Sequence, residues 1–140
     1  MSQSRMDEAI LRELEEHHAR IRAGIDDIRR HCEAPVPDMM GLSDARLRLS
    51  RASTARSTFY TAQVVPKLRE RMIDQTELTD MQRAFGAKRL KSSEHVVAWP
   101  FAAIEKDWPG YRAAAKEIWA MMEEQMNREI AISRRYLKPR

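Results

Sequence analysis

Apolar residues recur along this chain at alternating steps of three and four. Leu11, Leu14, His18, Ile21, Ile25, Ile28 and Cys32 are spaced in this way, and so are Tyr111, Ala115, Ile118, Met122, Gln125, Glu129, Ile132 and Tyr136. That period draws a seam along one face of a helix, the face that packs against neighbouring helices. A third seam runs through Ala45, Leu49, Ala52, Arg56, Phe59 and Gln63. A fourth, less regular, runs through Met81, Phe85, His95, Trp99 and Ala102.

Punctuation between the seams sets the helix limits. The first helix is expected from about Met6 to Cys32, stopped by Ala34-Pro35-Val36-Pro37, because proline lacks a donor and disfavours helix in the residue before it. Ser43 followed by Asp44 reads as the N-cap of a second helix reaching about Met72. Asp74 and Glu77 offer a capping-box start for a third, which continues to about Lys106. Asp107-Trp108-Pro109-Gly110 breaks the chain, and Pro109 suits the first turn of a fourth helix ending near Leu137. Pro66 and Pro100 fall inside the second and third helices and should kink or shorten them. Four long helices on short links imply antiparallel neighbours. The expected fold is therefore all-α, an up-down-up-down antiparallel four-helix bundle, with residues 1–140 forming one domain.

Composition narrows the class. Only 4 Gly and 6 Pro occur in 140 residues, too few for the frequent turns of a sandwich or barrel. No glycine-rich phosphate loop can be written. The single Cys32 excludes an internal disulfide and any multi-cysteine metal centre. No apolar run reaches the ~18–20 residues of a membrane span, and Met1 to Arg12 holds no apolar signal core. A cytoplasmic protein without a membrane partner is the expectation. The net charge of +4 is uneven: residues 1–42 carry −3, residues 43–91 carry +6 and residues 92–140 carry +1. A basic middle third can attract nucleic acid. Without aromatic or glycine motifs beside the charge, a solvated helix face is the preferred reading.

Six residues on the seams are out of place in an apolar core: His18, Arg56, Gln63, His95, Gln125 and Glu129. Each stands near the middle of its helix, and buried polar groups must be paired. A cluster is thus expected. His17 lies one position off the seam and reads as a boundary residue. His31 stands near a helix end, where the helix dipole suits a cation.

With these residues in view the chain resembles the hemerythrin-like, or HHE cation-binding, domains. Glu16-His17-His18-Ala19-Arg20-Ile21 is similar to the family's first-helix motif, and Glu94-His95 is similar to its third-helix Glu-His. The resemblance implies a four-helix bundle around a di-iron site serving oxygen binding, iron handling or sensing. The family's second and fourth helices read His-x-x-x-Glu, with a proline about ten residues after the His. Counting back from Pro66 and Pro139 puts Arg56 and Glu129 at the His positions and Tyr60 and Ser133 at the Glu positions. A one-turn shift puts Gln125 and Glu129 there instead. Two matching histidines survive, His18 and His95. Arg56 and Tyr60 replace a histidine and a carboxylate.

Three functions follow as expectations. The first is a degenerate hemerythrin-like domain without a di-iron centre or other cofactor, a non-enzymatic binding, sensing or regulatory module, monomeric or homodimeric, for a protein partner or small ligand. Its polar core network would comprise His18, Arg56, Tyr60, His95, Gln125 and Glu129, with Arg56 and Glu129 facing each other as a direct or water-bridged pair. The second is a single Fe or Zn ion on His18, His95 and Glu129, the ligand types of a mononuclear site. A fixed charge such as Arg56 at ~5 Å from a dication opposes it by ~6–7 kcal/mol at an effective dielectric of 20. The third, ranked last, is a basic all-α nucleic-acid binder. Catalysis finds little support: Ser53, Ser57, Ser92 and Ser133 lie in no nucleophile-elbow context, and Cys32, at the end of an apolar stripe, reads as a packing residue.

Overall fold

The computed structural model describes residues 3–71 and 74–137. Met1, Met72 and Pro139, to which a signal-free start, a helix end and a closing proline were assigned, lie outside the described residues. Those described form six α-helices and no strand: α1 (Gln3–Glu33), α2 (Met39–Phe59), α3 (Val65–Arg71), α4 (Gln75–Ala98), α5 (Phe101–Lys106) and α6 (Trp108–Tyr136). The fold is all-α.

Helix starts follow a repeated local device. Asp38 caps α2 by accepting from the Gly41 N–H at 3.1 Å, and Asp107 caps α6 by accepting from Gly110 N–H at 3.0 Å. In both Asp-x-x-Gly segments the carboxylate lies where a Cβ would project, so glycine is the residue that admits the cap. The N-cap of α2 is thus Asp38, not Ser43, and the helix begins four residues earlier than the sequence pattern implied. Asp74 caps α4 through Thr76 N–H at 2.9 Å. Glu77 does not close the capping box, because its carboxylate pairs with Arg135 of α6.

The two internal prolines act differently. Pro100 ends α4 at Ala98, so the expected third helix is divided into α4 and the short α5. Pro66 leaves the rod continuous. Residues Tyr60–Val64 form one π-helical turn between α2 and α3, and Val65 N–H donates to Tyr60 C=O five residues back. A proline supplies no N–H and crowds the carbonyl four residues earlier, and the widened turn accommodates it. The turn also resets the seam. Tyr60, Val64 and Leu68 are buried, whereas Gln63, assigned to the core by regular spacing, is exposed. Ala102 of the fourth seam is exposed as well.

Cross-helix contacts give the pairings. Gly24 meets Leu49, and His17 meets Phe59, so α1 and α2 run antiparallel. His18 meets Glu129 and Arg29 meets Glu123, giving the same sense to α1 and α6. Lys88 meets Glu124 and His95 meets Tyr111, so α4 and α6 are antiparallel too. The core has three parts. One end gathers Leu14, Tyr60, Val64, Leu68, Leu78, Met81 and Phe85. The other gathers Ile28, Leu42, Ile104, Trp108 and Tyr111. A thin centre of Ile21, Ile25 and Met126 joins them. Trp108 Nε1–H donates to Ala34 C=O at 2.9 Å, fixing the start of α6 to the link between α1 and α2.

Candidate functional site

On α1, the residue between Leu14 and Ile21 on the buried seam is His18. On α6, the residue one turn beyond Gln125 is Glu129. Both are almost fully enclosed, Glu129 with 0% exposure and His18 with 2%. An ionised carboxylate accepts only, so the His18 Nε2–H donates to Glu129 Oε1, at 2.7 Å. Arg56 Nη1–H, from α2, donates to Glu129 Oε2 at 2.7 Å, and Gln125 Nε2–H donates to the same oxygen at 3.1 Å. Three helices thus converge on one buried carboxylate. Arginine does not shed its proton at neutral pH, and Glu129 supplies its counter-charge.

Tyr60 stands beside this group without bonding Glu129. Its hydroxyl donates to Met81 Sδ at 3.5 Å. Burial raises the Tyr60 pKa, the Glu129 charge adds to the rise, and Ser133, Arg56 and Arg128 pull it back by less. Tyr60 is therefore a neutral phenol at physiological pH. Two polar atoms nearby lack a well-formed partner, Arg56 Nε and Ser133 Oγ.

His95 is elsewhere. Its ring stacks on Tyr111 with centroids 5.8 Å apart. Tyr111 and Glu129 belong to one continuous helix, and eighteen residues of it rise ~27 Å. His18, His95 and Glu129 therefore do not meet at one metal, and His95 is no member of the core network. The irregular fourth seam had placed it at mid-bundle, but α4 ends three residues later, so His95 stands at the aromatic end. There Trp99 and Trp108 also pack on Tyr111, and Arg46 lies over its ring while donating to Trp99 C=O at 2.9 Å. Burial, then the Arg46 charge, lowers the His95 pKa. Burial pushes Tyr111 up to about 12 and Cys32 up to about 11.

The residues at the resemblance's ligand positions do not fit a di-iron centre. A guanidinium bonded directly to the one buried carboxylate puts a fixed cation where a second cation would have to bind. Both Glu129 oxygens and His18 Nε2 are already engaged. Among the described residues no group of three or more His, Cys, Asp and Glu is arranged to hold a metal ion.

No family model matches this chain, and neither a curated protein nor a solved structure does.

Two further features escaped the seam count. Asp7, one turn before Leu11 on the same stripe, is buried and paired with Arg71 of α3. Asp7 Oδ1 and Arg71 Nη2 are left without partners. Extending the first seam by one step upstream reaches Asp7, so the signal was there. His17 is buried against Phe59, with ring centroids 5.0 Å apart, and is not a boundary residue. The basic middle third is also partly consumed inside the fold: Arg46, Arg48, Arg56, Arg71 and Lys88 are tied to carboxylates or backbone. Arg51, Arg69, Arg83, Arg89 and Lys91 are exposed and scattered over three helices.

Proposed function

We propose that this chain is a hemerythrin-like domain of the up-down-up-down four-helix kind. Its four rods would be α1, α2 continued through the π turn into α3, α4 and α6, with α5 as a short connector. In this reading it works without a metal, as a non-enzymatic binding or regulatory module. The observation that supports it is the bonding of Glu129. A ligand-type carboxylate at the family's position is bonded to Arg56, His18 and Gln125, so its lone pairs serve an internal ion pair. Such a pair fixes which faces of α1, α2 and α6 meet and frees the surrounding cleft for another ligand.

The experiment is a metal titration read by stability. Protein purified without an affinity tag is expected to carry no stoichiometric iron or zinc by elemental analysis. Its melting temperature is expected to be unmoved by excess Fe(II) or Zn(II), since a ligand that binds only the folded state must raise it. A rise that Glu129→Gln and His18→Gln each abolish would establish a metal site and remove this reading.

A further inference from the structure

α2 and α4 barely touch, and a cleft opens between residues 50–61 of one and residues 85–96 of the other. It consists of two adjoining cavities of about 310 and about 250 Å³. Ser53, Thr54, Arg89, Ser92 and Met122 line both, so they are two ends of one space. At the first end stand Arg56, Lys88 and Arg89, with the hydroxyls of Ser57 and Thr61. At the second end the walls are apolar: Ile25, Leu49, Val96, Ile118 and Trp119. The chain carries 21 Asp and Glu residues, yet none lines either end.

The charges at the polar end can be balanced one by one. Arg56 is neutralised by Glu129 and Lys88 by Glu124. Arg89 has no ion pair among the described residues, and Arg56 Nε is an unsatisfied donor at the same end. One positive charge is left over. At the far end Arg46 is turned away onto the Trp99 carbonyl and the Tyr111 ring. A phosphate monoester would bring nearly two negative charges. A carboxylate brings one, and its planar pair of oxygens matches a guanidinium edge. A neutral apolar molecule would strip water from Arg89 without replacing its hydrogen bonds.

We infer that this cleft binds a small amphiphilic carboxylate, with its charge at Arg89 and its apolar body against Leu49, Ile118 and Trp119. Sites of this kind combine an apolar lining with a few polar groups that fix orientation, at ~300–1,000 Å³. The inference rests on the binding-module reading and adds the class of ligand.

The test uses octanoate as the probe and octanamide as its uncharged counterpart, in the full-length protein. Trp119 fluorescence reports occupancy of the apolar end, and calorimetry gives affinity and stoichiometry. Saturable binding of octanoate at one per chain is expected, with octanamide weaker by at least about tenfold. Arg89→Glu should weaken octanoate by a similar or larger factor, while Arg89→Lys should restore most of it. Val96→Glu, which sets a second charge beside the apolar end, should also weaken it. Arg89 and Val96 are exposed, so these variants are expected to fold, and circular dichroism checks that they do. Equal affinity for octanamide, full retention in Arg89→Glu, or no saturable binding at millimolar octanoate would each overturn the proposal. The metal titration is independent. A null octanoate result with no metal response removes the ligand class alone, whereas a metal-dependent melting temperature removes the reading beneath it.

Discussion

The two ends of this molecule bury titratable groups by opposite means. Around Glu129 the groups stay charged and are paired: one carboxylate accepts from a guanidinium, an imidazole and an amide, all within 3.1 Å. Around Tyr111 the groups stay neutral. His95 is held below its ordinary pKa, while Cys32 and Tyr111 are held above theirs, each chiefly by loss of water. The first arrangement depends on every partner being present. The second depends only on packing. Direction follows from this difference: a carboxylate bonded from three sides fixes the rotation of three helices, whereas an aromatic stack tolerates small shifts.

The largest expected effect breaks the paired end. Arg56→Met or Glu129→Met alone leaves a buried charge unpaired and should cost ~3–5 kcal/mol, while the double change should cost less than either single one. Urea unfolding of the four proteins in a double-mutant cycle measures this, and simple additivity would dissolve the contrast between the two ends.

Asp7 and Arg71 sharpen it. They form the same type of pair, but each keeps one atom without a partner, and Arg71 retains 19% side-chain exposure. Asp7→Asn should therefore cost less than Glu129→Gln, ~1–3 kcal/mol. Equal losses would show that completeness of bonding around the carboxylate does not set its worth.

At the neutral end pH is the probe. The folded-state pKa of His95 lies below its unfolded value of ~6.5. Both states are neutral above that value, so its stabilising contribution is fully present there. As pH falls below ~6.5 the unfolded state takes the proton first, and stability is lost until the folded pKa is passed. The difference between wild type and His95→Gln, measured by urea unfolding from pH 7.5 to 5, should show wild type losing more. Parallel curves would place His95 in water.

The smallest effect is kinetic. With its pKa at about 11 against 9.0 unperturbed, Cys32 exposes ~100-fold less thiolate at pH 8 than a free cysteine. Iodoacetamide should label it only slowly in the folded protein and readily in urea. Its folded pKa is raised, so its contribution to stability is present below pH ~9 and declines as pH rises toward about 11.

The pattern of what could be read in the sequence follows the same division. His18, Gln125 and Glu129 lie on two unbroken seams, α1 and α6, where a period of three and four carries through the whole helix. Arg56 precedes the π turn, so its seam was still in register, and its contact with Glu129 follows from counting. Gln63 comes within that turn, and regular counting put it on the wrong face. His95 sits on a seam with a gap of ten residues after Phe85, so periodicity fixed neither its height nor its neighbours. The cleft left no periodic signal, because its polar end uses Arg89 and Lys88, which are ordinary surface residues until α2 and α4 diverge.

The π turn at Tyr60–Val64 amounts to one residue more than an α-helix of the same height requires. Arg56, Tyr60, Val64 and Leu68 step by four along the buried side, so the rod is overfilled by a single amino acid across its middle. Removing Ala62, an exposed residue of that turn, would let the backbone relax to ordinary winding and turn everything after it by about 100°. Val64, Val65 and Leu68 would swing from the interior toward water, and Arg71 would be carried away from Asp7. Insertions at the same point are the gentler change, since a segment already wound loosely has somewhere to store one. The length of this one turn, and not the identity of any residue in it, keeps the two halves of the second rod facing the same core.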